Sequence, residues 1–134
     1  MFENLLTRIG IGGVTVDTRL SDASYRSEDS ISGVIEVTGG DSPQEVRDIK
    51  LTLYEVTSGH RKDSDFDEYQ EVIQTIRLDH MMTVGEGETV DIPFEFSASG
   101  LAVSDESHSI RLHTKVFLPN SIDANDEDDI RITE

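Results

Sequence analysis

The sequence predicts an all-β protein: an antiparallel sandwich of two sheets with about seven strands, led by a short amphipathic helix. Three observations carry this expectation. From residue 13 onward apolar residues recur at every second position, the period of a strand with one buried face. The alternating runs are separated by Gly, Ser, Asp and Pro, the residues of tight turns. Neither the helical 3.6-residue period nor the continuous apolar runs of parallel strands takes over in that stretch.

Taken in order, residues 1–12 hold Phe2, Leu5, Leu6 and Ile9 at i, i+3, i+4 and i+7, one stripe of a short helix that Gly-Ile-Gly-Gly ends. That stripe either caps one end of the sandwich or docks on a partner or a second subunit. Residues 13–134 form the sandwich. Val14, Val16, Thr18 and Leu20 share a face of the first strand, and Ile31, Gly33, Ile35 and Val37 a face of the second, before the turn Gly-Gly-Asp-Ser-Pro. Ile49, Leu51 and Leu53 point inward on the third, with Lys50, Thr52 and Tyr54 outward; Val72, Ile76 and Leu78 share the inner face of the fourth. Val90, Ile92, Phe94 and Phe96 line the fifth, where Pro93 requires an edge position or a bulge because proline donates no ladder hydrogen bond. Ile110, Leu112, Val116 and Leu118 line the sixth, and Ile130 and Ile132 mark a short closing strand. Residues 58–68, with both signs of charge and Phe66, are expected to be a mobile hairpin loop.

Composition narrows the function classes. One domain fits in 134 residues, and the absence of cysteine excludes disulfides, thiolate metal sites and a cysteine nucleophile. The N-terminal stretch lacks the cationic start and apolar core of a signal peptide, and no apolar run approaches the ~18 residues of a membrane span. A cytoplasmic protein is expected. Net charge is −17, and only Lys50, Lys62 and Lys115 are lysine. Such a surface repels nucleic-acid phosphate and anionic lipid, so neither nucleic acid nor membrane is expected as a partner. It suits either a basic protein partner or a salt-rich host that screens self-repulsion; the scarcity of lysine favours the second.

No constellation points to catalysis. The serines lie in turns without a nucleophile-elbow glycine pattern, there is no phosphate-loop motif, and the Gly-rich step precedes a strand where a dinucleotide loop would follow one. His60, His80, His108 and His113 lack zinc-ligand spacing. Asp63, Asp65 and Asp67 alternate as an EF-hand loop begins, but Glu68 and Gln74 occupy the positions that need Gly and Glu. The stretch Asp-Ala-Asn-Asp-Glu-Asp-Asp, residues 123–129, offers Asp123, Asp126 and Asp128 as candidate calcium ligands; a hard cation needs six to eight oxygens converging from separate loops. The competing reading is a turn whose acids, Asp123 and Asp126 foremost, accept backbone N–H bonds. A glycan-binding sandwich is disfavoured by the absence of tryptophan.

Several words of the sequence, in order, resemble one family. Val-Asp-Thr-Arg-Leu (Val16 to Leu20), Tyr-Arg-Ser-Glu (Tyr25 to Glu28), the strand and turn from Gly33 to Gly40, and Asp-Ile-Lys-Leu-Thr-Leu (Asp48 to Leu53) resemble the opening of the sporulation-control protein family of the stage-zero protein M type. Ile92 to Phe96, Leu112 to Thr114 and the acidic stretch Ile122 to Ile132 match later family words. The chain departs from the pattern at Ala124, where proline is usual, at Phe117, where an acid is common, and at Asp129. The resemblance implies an arrestin-like sandwich in a non-enzymatic cytoplasmic adaptor that needs no cofactor and acts by protein–protein contact. It also implies that the second sandwich of the family is absent here. The expected contact residues are Phe2, Leu5, Leu6, Ile9 and Phe66, with an edge strand, the one bearing Pro93 among the candidates. An edge strand or the helix could also pair two copies into a homodimer. The alternative is a calcium-dependent module built on residues 123–129.

Overall fold

The computed structural model describes residues 13–61, 64–119 and 122–134, with the side chains of 59–61 and 64–67 outside the description. The predicted helix and its stripe Phe2, Leu5, Leu6 and Ile9 lie outside the described residues. Ten strands follow one another: β1 (Thr15–Leu20), β2 (Ser24–Arg26), β3 (Ser30–Thr38), β4 (Gln44–Val46), β5 (Asp48–Arg61), β6 (Ser64–Arg77), β7 (Met82–Val84), β8 (Thr89–Ser97), β9 (His108–Phe117) and β10 (Ala124–Thr133). They form a three-stranded sheet ordered β1-β3-β8, a five-stranded sheet ordered β2-β10-β9-β5-β6, and the small pair β4-β7.

Alternation builds the core. Val16, Ile31, Ile35, Val37, Ile92 and Phe94 of the three-stranded sheet meet Ile49, Leu51, Leu53, Leu112, Ile130 and Ile132 of the five-stranded sheet in one buried cluster. Burying each such side chain contributes roughly 1.5–3 kcal/mol, so two facing stripes suffice to hold the sheets together. At the centre of β3, a side chain on Gly33 would meet the carbonyl oxygen of Arg19 and, at 2.9 Å, the ring of Phe94, its cross-strand partner. Glycine lets that ring lie across the strand, where it stacks with Phe96 at 6.0 Å.

The structure corrects the sequence reading in several places. The seven expected strands correspond to β1, β3, β5, β6, β8, β9 and β10; β2, β4 and β7, three residues each, are additional. Each is too short to show alternation, yet they bury Tyr25, Val46 and Val84. The sandwich is not wholly antiparallel, because β2 runs parallel to β10, with Ile132 opposite Tyr25; side-chain period carries no direction. Tyr25 fixes this corner by donating its hydroxyl to the Ser32 carbonyl at 2.9 Å and accepting the Asp22 amide at 3.1 Å.

The described residues of the expected loop over 58–68 are strand: β5 runs to Arg61, β6 starts at Ser64, and Phe66 is a β6 residue. The acidic stretch is not a loop either, because β10 begins at Ala124 and pairs along β9 from Ala124↔Val116 to Ile130↔Ile110. Pro93 does sit on an edge strand, β8, in continuous register opposite Val34. Thr52 lies on the outer face as expected and is nonetheless buried, level with His113 and Thr75 on the flanking strands.

Candidate functional site

Two edge strands of the sandwich, β1 and β6, are built in opposite ways. β1 ends the three-stranded sheet, and its outer side is closed by β10. Asp126 is 5% exposed and accepts the Thr18 amide at 2.8 Å on Oδ2 and the Glu127 amide at 3.0 Å on Oδ1. Beside it the hydroxyls of Thr18 and Thr114 bond at 2.7 Å, both residues buried. A buried carboxylate is costly unless hydrogen bonds satisfy it; here it meets a strand-edge amide that the sheet leaves over. Strand alternation places Asp126 on the inward face with Ala124 and Ile130, and this explains how an acid came to lie in the interior.

β6 ends the five-stranded sheet, and its outer edge pairs with no strand among the described residues. It exposes three large apolar side chains: Tyr69 at 57%, Val72 at 54% and Ile73 at 39%. For Val72 the local cause is a β-bulge. Leu53 pairs with Gln74, but the next residue, Tyr54, pairs with Val72, which leaves Ile73 as the extra residue. One extra residue reverses the facing of everything beyond it. Val72, expected in the core with Ile76 and Leu78, is therefore turned out to solvent. The sequence did carry a signal: Val72 and Ile73 are adjacent apolar residues in an otherwise alternating strand. Long, flat, apolar edges are the ones native proteins usually cover or blunt.

The other sequence-derived candidates do not converge. Asp123 lies before β10, where it accepts the Leu118 amide at 3.0 Å and stands 3.7 Å from Lys115 Nζ. Asp126 is engaged as described, and Asp128 follows it on the strand. Among the described residues no three His, Asp or Glu side chains group so as to hold a metal ion. The calcium reading gains no support from the geometry. The side chain of Phe66 lies outside the description.

One turn brings Asp, Ser and His together. Asp105 Oδ1 accepts the amides of Ser107 (2.8 Å) and His108 (2.7 Å) and lies 3.2 Å from His108 Nδ1; the Ser107 hydroxyl is also 3.2 Å from Nδ1. A catalytic triad needs the acid on one ring nitrogen and the nucleophile on the other. Here both crowd Nδ1, so the imidazole cannot relay a proton between them. The backbone amide of Ser107 first, then the His108 side chain and amide, hold the Asp105 carboxyl down at about 2. This is the chemistry of a turn cap. Asp48, at the start of β5, is opposed by burial but lowered overall by the Ile49 amide, the Arg77 guanidinium at 3.1 Å and the His80 amide; it pins the far end of β6 to β5. No helix among the described residues is long and apolar enough to cross a membrane.

Comparison with known proteins agrees with the fold. The chain is 27% identical over 130 residues to the sporulation-control protein Spo0M of Bacillus subtilis (strain 168), covering 96% of this chain and 50% of that protein. It is similar to the crystal structure of Spo0M, sporulation control protein, from Bacillus subtilis, with a TM-score of 0.80 and 25% identity over 92% of this chain and 51% of that one. The chain thus spans about half the length of the relative it matches. The family described as SpoOM protein matches residues 2–134, every residue of the sandwich just described, and the chain belongs to that family.

Proposed function

We propose that this domain is an arrestin-like, non-enzymatic regulatory module that works by protein–protein contact, with the open edge of β6 as its contact surface. The observation that carries this reading is the 14-residue edge strand presenting Tyr69, Val72 and Ile73 to solvent. Family membership supports the regulatory class, because the relative of known name is a sporulation-control protein. A free edge recognises an extended segment through main-chain hydrogen bonds and reads alternate side chains for specificity. The sequence of β6 carries Asp65, Asp67, Glu68 and Glu71 on a chain of net charge −17. The occupant is accordingly an extended strand of a partner protein bearing Lys or Arg between apolar residues. A second copy of this chain would oppose acid to acid, and pairing of that kind is the rival outcome.

The test is affinity capture at the host's own salt concentration with wild type, Val72→Asp/Ile73→Asp and Leu5→Asp/Leu6→Asp, followed by rebinding of the purified partner. Loss of the partner in the β6 variant, with thermal unfolding unchanged, is the expected result. Retention by the β6 variant and loss by the Leu5/Leu6 variant would move the contact to the N-terminal stripe.

A further inference from the structure

The outward face of the five-stranded sheet carries a feature that β6 pairing does not use. Lys50 of β5 stands directly opposite Lys115 of β9 on one side and Arg77 of β6 on the other. Three cations thus lie in one row across three adjacent strands, in a chain where eleven Lys and Arg face twenty-eight acids. Like charges directly opposite one another destabilise a sheet, so the row stands against its own repulsion. All three head groups converge on one ring, Phe117: Lys115 Nζ at 5.2 Å, Arg77 Cζ at 5.3 Å and Lys50 Nζ at 5.8 Å from its centroid. The negative face of an aromatic ring attracts cations, but it does not neutralise them.

Neutralisation by carboxylates is incomplete. Asp48 takes Arg77 at 3.1 Å and Asp123 stands 3.7 Å from Lys115, whereas Lys50 has no carboxylate within ion-pair distance among the described residues. The Arg77 side chain is 56% exposed and commits one N–H to Asp48, leaving donors of its five to spare.

We propose that the Lys50–Arg77–Lys115 row around Phe117 is a docking site for a short acidic segment of a partner protein. The row spans two strand spacings, roughly 10 Å, while side chains two apart on an extended chain are separated by roughly 7 Å. Carboxylates at i and i+2 therefore reach two of the three cations at once, with the Phe117 ring beneath the residue between them. The surrounding charge of −17 repels long polyanions, which leaves a short carboxylate segment as the fitting ligand. The site is distinct from the open run of β6 and stands or falls separately from the reading above.

The test titrates isotope-labelled protein with a capped peptide Gly-Glu-Phe-Glu-Phe-Glu-Gly, with its Gln isostere, and with inorganic phosphate at matched ionic strength, following backbone amide shifts. Saturating shifts around Lys50, Arg77, Lys115 and Phe117 with the Glu peptide alone are expected. Lys50→Gln/Lys115→Gln should weaken binding roughly tenfold, two exposed charge pairs being removed, while the unchanged spectrum elsewhere shows that it remains folded; Lys50→Arg/Lys115→Arg should retain binding. An absence of saturable shifts, an equal response to the Gln peptide, or unchanged affinity in the Gln variant overturns the proposal. The same shifts with phosphate alone would also overturn it, leaving a small-anion site.

Discussion

β1 and β6 are both edge strands, and the molecule treats them oppositely. On β1 the Thr18 amide meets a buried carboxylate from the other sheet, and Thr18 and Thr114 lock hydroxyl to hydroxyl. On β6 a bulge turns Val72 out, Tyr69 and Ile73 are exposed as well, and no strand among the described residues pairs with the outer edge of β6. The difference teaches that edge exposure here is not a general looseness of the sandwich. The fold has the means to close an edge, uses it on β1, and leaves β6 open. Closure contributes stability; openness leaves main-chain donors and acceptors for a partner.

The strongest way to break the contrast is to remove the β1 closure. Asp126→Ala strands the Thr18 amide in the interior and should cost about 2–3 kcal/mol, the penalty of an unsatisfied buried group, read as a lower urea midpoint at unchanged m-value. If Asp126→Ala unfolds at the wild-type midpoint, the β1 edge is not closed by that carboxylate. Thr18→Val should cost about 1 kcal/mol by leaving the Thr114 hydroxyl alone, and the double variant Thr18→Val/Thr114→Val should recover much of it, because replacing both partners is nearly neutral. A double variant worse than the sum of the singles would contradict a simple hydroxyl pair.

The acid limb of stability sharpens the comparison next. Asp48 and Asp105 both have folded pKa values depressed below 3.8, Asp105 to about 2. A depressed carboxylate contributes stability that is present above its unfolded value and lost as pH falls through its folded value. The unfolding free energy should therefore decline from pH about 4 toward pH about 2, as these two groups take up protons. The curve is best measured in ~1 M salt, where screening limits the relief of self-repulsion that acid also brings. Asp105→Asn should flatten it in that window; an unchanged slope would show that folding does not depress the Asp105 pKa. The smallest stability effect belongs to β6. Val72→Gln, which removes no buried contact, should stay within about 0.5 kcal/mol of wild type and raise solubility, whereas a loss near that of Asp126→Ala would mean that Val72 is covered.

The longer strands were legible because burial on one face imposes a period of two, and Val16, Ile35, Leu51, Leu53, Leu112 and Ile132 all obey it. What escaped the sequence was set by tertiary structure. Val72 departs from the alternation because a bulge is a pairing event between β5 and β6, visible in sequence only as the doublet Val72–Ile73. The acidic stretch reads as a loop because Asp and Asn disfavour strands; pairing with β9 overrides that preference, and Asp126 turns inward onto a backbone amide. The strands β2, β4 and β7 are too short to carry a period. The cation row around Phe117 joins residues from β5, β6 and β9, whose register no single strand reveals.

The most direct test of the contrast is native-state amide hydrogen exchange on the free protein. The Thr18 amide, bonded to buried Asp126, should exchange among the slowest in the molecule. Every second amide of β6 between Glu68 and Ile73 should exchange orders of magnitude faster, as exposed edge donors do. Uniform slow exchange along β6, or a Thr18 amide as fast as those of β6, would contradict the contrast.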